Sequence, residues 1–430
     1  MHWQRLAFLL FAGGLLFLTV NLHSKAKRFT YRSQIYSDKA GYYAYLPAVF
    51  IYGFEDDWPE EYGAEALGKG YKWNERGRLF TKYQAGVAVM QMPFFLLNHY
   101  VVSPLLGEEQ SGFDPSYHSM VDIAAVFYAL MAFLILFRFL RQYFSWRASL
   151  ITLLAFYLGT NLLYFIVVDN GMSHVYSIFL CALFLRTAQR VHLEGKLRWS
   201  TALLLGASAG LLLLVRLTNV FILPAFFLFD FSGNSTLKDR LNLLLRSPLT
   251  LAAAGLGIAI FSLQFAYWNH VNGSPFTYSY QNEGFKSWAN PPLLKLWFSP
   301  RNGMFLYGPL LLLVLAGMGH MLLRRLPNRW LLVALFFGLS YLFASWWDWG
   351  FGCYFGSRPF IDYYPFFMIP FGHLVTWVLK TENKALKWGI WSGVGLLVAF
   401  TFKNAYLYER CFYGEHFWDW EPFLSLVTRF

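Results

Sequence analysis

Long apolar runs separated by short polar segments dominate the chain. The first run covers residues 5–22, and an apolar stretch of about 18 or more residues is long enough to cross a bilayer as an α-helix. Ten further runs follow at 119–140, 148–168, 171–190, 200–217, 219–231, 249–269, 304–323, 329–346, 358–379 and 387–404. Run 219–231 is short for a span, which a locally thin bilayer would accommodate. The pattern predicts an all-α polytopic membrane protein with about eleven transmembrane helices.

The basic residues fix the predicted orientation of these spans. They fall in five clusters between alternate pairs of spans, beginning at Arg138, Arg186, Lys238, Arg324 and Lys380. Because Lys and Arg are enriched in cytoplasmic loops, all five clusters are predicted to be cytoplasmic. The opposite side is called the outer side here. It is predicted to hold residues 23–118, 270–303 and 405–430, all within a single integral membrane domain over residues 1–430.

Residues 23–118 form the longest predicted outer segment. The apolar run 42–54 within it is short and contains Pro47, so we expect it to lie at the membrane interface. The run 83–106 has spanning length but includes several polar residues, and we interpret it as a juxtamembrane or re-entrant element. No small-residue cleavage site follows the first span, which is therefore predicted to be a retained anchor.

Composition supports the membrane assignment and limits the function classes. Hydrophobic residues make up 57% of the chain and charged residues 14%, and the mean hydropathy is +0.39. The aromatic share of 21% exceeds what interfacial belts need, which hints at a hydrophobic substrate. The formal net charge of +11 could suggest nucleic acid, but topology and anionic lipid explain basic clusters between spans. Nucleic-acid binding is therefore not expected.

The three cysteines fit neither a zinc pattern nor a disulfide framework. Cys181 lies inside an apolar run and is expected to be inert. Cys353 and Cys411 both fall on the predicted outer side, so they could form one disulfide if that side is oxidising.

The first polar segment after the first span carries the leading candidate for chemistry. Asp38 stands there between Ser37 and Lys39, close to Tyr42. A carboxylate at the membrane surface can act as a general base if an acceptor hydroxyl comes within hydrogen-bond distance. The alternative is a solvated aspartate that caps an interfacial helix beginning near Gly41, and the pattern alone does not decide between the two.

Several cations lie at the predicted outer ends of spans. Lys82 beside Tyr83, and Arg301 after the second large loop, could each hold a lipid phosphate or simply anchor the chain at the interface. Arg358 follows a segment rich in tryptophan and glycine, and its guanidinium suits bidentate recognition of phosphate. Asp362 lies four residues further on, so the two side chains could instead pair on one helical face.

Three more residues could support such a site. Asp169 and His174 flank a tight outer turn whose Gly171 could bring their side chains together, although a plain turn with a capping aspartate is favoured. Arg216 lies near the outer end of a span, where a charge is costly unless it is paired or wetted. Its position suits a functional cation and a structural ion pair equally well.

This layout resembles the GT-C superfamily of polytopic membrane glycosyltransferases, which includes protein O-mannosyltransferases and bacterial aminoarabinose transferases. The similarity covers most of the chain. It rests on Ser37-Asp38, on Lys82-Tyr83 with the segment up to Pro93, on Arg216-Leu217-Thr218-Asn219 and on Gly356-Ser357-Arg358-Pro359. No nucleotide-binding loop is found in the sequence, so a nucleotide-activated donor is not expected.

The resemblance implies an inverting transferase that uses a sugar linked to a polyprenyl phosphate. Asp38 would be the base, and Lys82, Arg301 and Arg358 would hold the leaving lipid phosphate. The resemblance leaves metal use open, and a divalent ion between Asp38 and Asp169 would find the carboxylate oxygens that hard cations prefer.

We therefore expect a glycosyltransferase of the bacterial cell envelope, located in the inner membrane with its site facing outward. The donor would be a polyprenyl-phosphate sugar, and the acceptor a hydroxyl of a glycan, lipid or protein. Two alternatives remain open at this point. One is a transporter of lipid-linked saccharides, which predicts ionisable residues near the middle of the bilayer. The other is a non-catalytic membrane assembly subunit.

Overall fold

A computed structural model describes residues 2–24, 29–30, 33–233, 235–409, 411–412, 414 and 416–429. This part of the chain is mostly helical and contains almost no strand. Its two strands, β1 (Lys72–Trp73) and β2 (Leu79–Phe80), form a small antiparallel ribbon in which Lys72 lies opposite Phe80. The predicted all-α class is therefore confirmed.

The helices of the first half of the chain include both long and very short segments. They are α1 (His2–His23), α2 (Asp38–Tyr43), α3 (Tyr45–Pro47), α4 (Gly86–Leu97), α5 (Ser103–Leu106), α6 (Pro115–Leu140), α7 (Trp146–Gly159), α8 (Leu162–Val167), α9 (His174–Glu194) and α10 (Trp199–Val215). Two π-helical turns, Ala48–Tyr52 and Asn98–Val102, continue α3 and α4. A 3₁₀ turn covers Glu60–Tyr62.

The second half continues in the same manner. Its α-helices are α11 (Ala225–Leu228), α12 (Leu237–Leu245), α13 (Leu249–Asn272), α14 (Leu293–Phe298), α15 (Met304–Tyr307), α16 (Leu311–Leu323), α17 (Arg329–Ala344), α18 (Tyr364–Lys380), α19 (Lys384–Leu407) and α20 (Glu421–Thr428). The 3₁₀ helices Leu217–Ile222 and Arg358–Tyr363 precede α11 and α18.

Four segments in the described part of the chain are long and apolar enough to cross a membrane by length and composition. They are Gly86–Leu106, which includes α4 and α5, together with α6, α13 and α19. Shorter apolar helices, such as α7, α10, α16 and α17, accompany them. The membrane character is consistent with the sequence, whereas the number of eleven spans stays a prediction.

Three predicted spans are not continuous helices. Run 148–168 is divided between α7 and α8, because Thr160 adopts an extended conformation between them. Run 304–323 is divided between α15 and α16, and run 219–231 becomes a 3₁₀ helix followed by the four-residue α11. Pro224 lies at the break in run 219–231. Because proline has no backbone N–H, it cannot continue the hydrogen-bond pattern of the preceding helix.

Helices α10 and α13 pack at very short range. A Cβ added to Gly206 would lie 2.3 Å from the carbonyl oxygen of Ala253, and one on Gly210 would lie 2.6 Å from that of Gly257. Small residues four apart let two membrane helices approach backbone to backbone. This contact fixes the position of α10, whose C-terminal end carries Arg216.

The predicted outer segment 23–118 contributes to a second hydrophobic core, distinct from the core of the helical bundle. The rings of Tyr62 and Phe113 stack with centroids 4.6 Å apart, and Tyr267 and Trp268 of α13 join the same cluster. The segment is thus folded onto the bundle rather than extended as a loose loop. It holds α2, and with it Asp38, in a defined place.

Candidate functional site

Asp38 is the first residue of α2. Ser37 before it has a φ of 54°, and its side chain makes no capping hydrogen bond. The helix thus begins at Asp38 itself, and the alternative of an aspartate capping a helix that begins near Gly41 is wrong. A Cβ on Gly41 would lie 2.2 Å from the carbonyl oxygen of Gly70, so α2 is pressed against the loop that leads to Tyr83.

The carboxylate of Asp38 is paired with Arg358. Both terminal nitrogens of the guanidinium lie 3.3 Å from Asp38 Oδ2, and the hydroxyl of Tyr354 donates to the same oxygen at 3.0 Å. The guanidinium also lies over the Tyr354 ring, 3.9 Å from its centroid. Asp38 is 23% exposed and Arg358 14% exposed, so the pair is largely shielded but still reachable.

The surroundings keep Asp38 ionised. Burial by itself raises the pKa of this carboxyl group, but the charge of Arg358, a hydrogen bond from Tyr83 and the charge of Lys82 together lower the pKa below its ordinary value of 3.8. Asp38 is therefore a carboxylate at neutral pH, able to accept a hydrogen bond or a proton.

Four tyrosines gather around this pair. The ring centroids of Tyr42 and Tyr83 are 4.4 Å apart. The hydroxyl of Tyr280 interacts electrostatically with Arg216, Asp38 and Arg358. Burial, followed by the charge of Asp38, raises the pKa of the Tyr83 and Tyr354 hydroxyls well above the usual value. These hydroxyls stay protonated and can donate hydrogen bonds.

Lys82 reaches the site from the loop between β2 and α4. Its ammonium lies 2.7 Å from Glu283 Oε1, and 5.6 Å and 5.7 Å from the ring centroids of Tyr83 and Tyr280. The lysine side chain is 35% exposed, more than Asp38 or Arg358. The structure thus brings Lys82 and Tyr83 to Asp38 and Arg358, as the sequence predicted. Glu283 and Tyr280 were missed, because nothing in the 270–303 loop marks them as partners of Lys82.

The alternative in which Arg358 pairs with Asp362 is wrong. Asp362 instead lies 2.9 Å from His174 Nδ1, and Arg216 Nε lies 3.4 Å from its second oxygen. The reason is local geometry: residues Arg358–Tyr363 form a 3₁₀ helix with three residues per turn, so positions four apart do not share a face. The arginine turns toward α2 and the aspartate turns into the bundle.

Asp362, His174 and Arg216 form a buried cluster next to the Asp38 site. The side chains of Asp362 and His174 are almost completely buried, and Arg216 is 17% exposed. Arg216 donates to the Ser173 hydroxyl at 3.5 Å, and the Tyr42 hydroxyl donates to the same oxygen at 3.3 Å. The cluster therefore joins the ends of α9, α10 and α18 to α2.

No protein-family model matches the sequence, and no curated protein matches it significantly. The fold matches the oligosaccharyltransferase of Archaeoglobus fulgidus, tethered through a disulfide to an acceptor peptide with an NVT sequon, over 94% of this chain with a TM-score of 0.52 and 16% identity. The archaeal oligosaccharyltransferase AglB from Archaeoglobus fulgidus, in complex with an inhibitory peptide and a dolichol-phosphate, is matched over 94% of this chain with a TM-score of 0.50 and 15% identity. This chain has the GT-C fold.

The resemblance to GT-C proteins is therefore confirmed at the level of the fold. Each alignment covers 55% of the archaeal chain, so this chain spans about half the length of the oligosaccharyltransferases it matches.

In this GT-C fold, Asp169 is separated from His174. Asp169 Oδ1 lies 2.7 Å from Lys39 Nζ, in an ion pair whose side chains are both less than a tenth exposed. The turn that carries Asp169 thus does not bring the two side chains together, contrary to one reading of the sequence. Lys39 was missed as a partner, although its place beside Asp38 in the sequence was a signal.

Arg301 belongs to a neighbouring cluster of the GT-C fold. Its guanidinium lies 3.5 Å from Asp348 and 5.7 Å from the Phe417 ring centroid. The adjacent Asn302 donates to the carbonyl oxygens of Gly350 and Gly352 at 2.9 Å and 2.6 Å. Residues 301–302 thus brace the loop that leads to Tyr354, rather than the Asp38 carboxylate.

The same loop is held by a disulfide between Cys353 and Cys411, whose Cα atoms are 5.3 Å apart. It ties the residue before Tyr354 to the segment that follows α19. Tyr408 reinforces the link, since its hydroxyl donates to the Tyr354 carbonyl oxygen at 3.1 Å. Cys181 is a free, buried cysteine, as its apolar surroundings in the sequence predicted.

The described residues contain no group of three or more His, Cys, Asp or Glu side chains placed to hold a metal ion. Asp38 is paired with Arg358 and Asp169 with Lys39, so each carboxylate already has a cation at short range. A divalent ion shared by Asp38 and Asp169 does not fit this arrangement of charges.

Proposed function

We propose that this chain is a glycosyltransferase that moves a sugar from a polyprenyl-phosphate-linked donor to a hydroxyl acceptor on a glycan, lipid or protein. The GT-C fold supports this proposal, since one of the matched oligosaccharyltransferases is in complex with a dolichol-phosphate. The observation that carries it is the ion pair of Asp38 and Arg358, largely shielded from solvent, ringed by protonated tyrosines and close to Lys82.

Asp38 would act as the general base. The acceptor oxygen attacks the anomeric carbon, a new C–O bond forms, and the bond from that carbon to the phosphate oxygen breaks. The acceptor proton moves to the Asp38 carboxylate, and the electron pair of the broken bond stays on the leaving phosphate. A single displacement of this kind inverts the anomeric centre. Asp38 is ionised at neutral pH and is therefore in the form that accepts a proton, and the acceptor hydroxyl becomes more acidic as its new bond forms.

When the donor binds, Arg358 would exchange the Asp38 carboxylate for the donor phosphate as its partner. A donor phosphate offers the guanidinium a bidentate partner and competes with Asp38 for it. Once Arg358 turns to the phosphate, Asp38 loses part of the charge that lowers its pKa and becomes a stronger base. Lys82 would add a point charge for the leaving group at the more exposed edge of the site.

The proposed location is a bacterial inner membrane with the site facing outward. The disulfide of Cys353 and Cys411 supports this orientation, since disulfides persist in oxidising compartments, and it lies on the loop that carries Tyr354. The polyprenyl tail would run along the aromatic-rich helices. The nature of the acceptor is left as glycan, lipid or protein, because the matched proteins are about twice as long as this chain.

The deciding experiment measures transfer of radiolabelled sugar from a verified pool of polyprenyl-linked donors in membranes that contain the protein at matched abundance. We expect Asp38→Asn to lower transfer by roughly 10²- to 10⁴-fold, the usual contribution of a general base. The matched control is Glu65→Gln, which removes the same charge from the same outer segment at a position 83% exposed and paired only with Lys69 among the interactions described. We expect it to leave transfer unchanged.

Transfer that survives in Asp38→Asn would move the base to another residue, and Asp169 would be tested next. No transfer by the wild-type protein with verified donors would instead favour a transporter of lipid-linked saccharides or an assembly subunit. Loss of transfer in both variants would point to a general effect of charge in segment 23–118 and not to chemistry at Asp38.

A further inference from the structure

A cavity near the Asp38 site takes no part in the chemistry proposed above. It has a volume of about 220 Å³ and opens between the C-terminal ends of α1 and α19 and the Asp169 turn. The side chains that matter for its chemistry are those of Asn21, His23, Asp169, Tyr406, Tyr408 and Glu409. We call it the His23 cavity.

The His23 cavity contains a buried oxygen without a donor. Asp169 Oδ1 accepts from Lys39, but Asp169 Oδ2 is buried and has no hydrogen-bond partner. Leaving a buried polar atom without a hydrogen bond costs free energy, so we expect a bound molecule to donate to this oxygen.

The missing group is therefore a hydrogen-bond donor. Phosphate supplies acceptors, and the charges of Asp169 and Glu409 are already compensated by Lys39 and Arg429, which leaves no free cation among the described residues here to bind it. A lipid tail would leave the polar wall unsatisfied. A sugar ring matches better, because its hydroxyls donate to carboxylates and amide oxygens, and the tyrosine rings offer apolar faces. The cavity is smaller than the roughly 300–1,000 Å³ of a drug-sized site, which suits one sugar-sized unit.

Contacts through Lys39 and Tyr354 connect the wall of the His23 cavity to Asp38. Asp169 in its wall pairs with Lys39, the residue next to Asp38 in α2. Tyr408 in its wall donates to the carbonyl oxygen of Tyr354, whose hydroxyl donates to Asp38. These contacts are separate from the Lys82 and Glu283 pair, where the donor phosphate is placed above.

We propose that the His23 cavity is a binding site for a sugar ring or a similar polyhydroxylated group, and that this group belongs to the acceptor. The first half of the statement rests on the cavity alone. The second half rests on the proposed function, because it takes the Arg358 and Lys82 side as the place of the donor phosphate.

Saturation-transfer difference NMR on the full chain in lipid nanodiscs tests the binding site without any need for activity. The probes are the methyl glycosides of glucose, galactose, mannose and N-acetylglucosamine. Asn21→Trp places an indole at the exposed rim of the cavity, where Asn21 donates to the Tyr406 hydroxyl at 2.8 Å. Leu396→Trp is the matched control, since Leu396 lies on α19 and is 71% exposed on the helix surface.

We expect at least one glycoside to give a signal that falls by about fivefold or more in Asn21→Trp and is retained in Leu396→Trp, with gel filtration and circular dichroism unchanged. Inorganic phosphate should not displace that glycoside. Signals equal in the wild type and Asn21→Trp, or no signal from any glycoside, would overturn the binding site.

The assignment to the acceptor is tested by kinetics of the transfer reaction. We expect Asn21→Trp to raise the KM for the acceptor by about tenfold and to leave the KM for the donor unchanged. A raised donor KM would assign the cavity to the donor sugar instead. Glycoside binding that depends on Asn21, in a protein without transferase activity, would keep the binding site and reject the proposed function.

Discussion

Two aspartate–arginine pairs in the described part of the chain, Asp38 with Arg358 and Asp362 with Arg216, differ mainly in the exposure of the aspartate. Asp38 and Arg358 are 23% and 14% exposed, and the hydroxyls of Tyr354 and Tyr83 donate to the Asp38 carboxylate. Asp362 and His174 are almost completely buried, and Arg216 reaches their cluster from α10. The first pair can exchange its partner for a substrate, whereas the second is enclosed by the bundle. The comparison suggests that one pair serves chemistry and the other holds the helices in place.

The largest effect on stability is expected at the enclosed cluster. Asp362→Ala removes the buried anion that faces His174 and Arg216 and leaves the largely shielded guanidinium of Arg216 uncompensated, which costs about 3–5 kcal/mol. The free energy of unfolding in mixed micelles measures this loss. Asp38→Asn should cost less, about 1–3 kcal/mol, because the amide oxygen at this partly exposed position still accepts from Tyr354 and Arg358. Equal losses for the two variants would contradict the distinction between the pairs.

The next effect concerns the rate of transfer. Arg358→Gln removes the cation that faces both Asp38 and the proposed phosphate, and we expect it to lower transfer by roughly 10²- to 10³-fold, the range for loss of one fixed electrostatic contact. The donor-dependent rate in membranes is the measurement. Arg301→Gln provides the control, because Arg301 contacts Asp348 and Phe417 in the neighbouring cluster. A larger loss in Arg301→Gln would show that the leaving phosphate lies there instead.

The pH dependence of transfer separates the two arginines further. The pKa of Asp38 is lowered in the folded protein, so its ion pair contributes stability above the ordinary carboxyl pKa and loses it as the pH falls through the lowered value. Without Arg358, the effect of burial on Asp38 is opposed by fewer charges, and the pKa of Asp38 rises. The acidic limb of the transfer rate should therefore move to higher pH in Arg358→Gln and stay in place in Arg301→Gln. An unchanged limb in Arg358→Gln would exclude Asp38 as the titrating base.

The smallest effect is expected at the exposed edge of the site. Lys82 and Glu283 are 35% and 28% exposed, so their ion pair contributes only about 0–1 kcal/mol to stability. We expect Lys82→Gln to raise the donor KM several-fold and to leave the unfolding free energy nearly unchanged. Glu283→Gln frees the lysine and should lower the donor KM or leave it unchanged. A loss of affinity in Glu283→Gln would show that the carboxylate itself binds the donor.

Part of the site could be predicted from single positions. Asp38, Lys82, Tyr83 and Arg358 stand out as polar residues at the ends of apolar runs, and the structure brings them together. The partners could not be predicted, because Arg358 pairs with Asp38 across 320 residues and Lys82 with Glu283 across 201. The alternative that paired Arg358 with Asp362 assumed an α-helix, whereas the chain forms a 3₁₀ helix there.

The sequence by itself determined the helical membrane character and the resemblance that the fold comparison supports. Long apolar runs leave the backbone no other way to satisfy its hydrogen bonds in lipid, so this information is local. Tertiary structure alone decided which acid meets which cation, that Asp169 turns to Lys39, and that a polar cavity opens beside His23. Those contacts depend on the breaks in the helices, on the close packing of α2 against the loop at Gly70 and on that of α10 against α13. No periodicity in the sequence indicates these features.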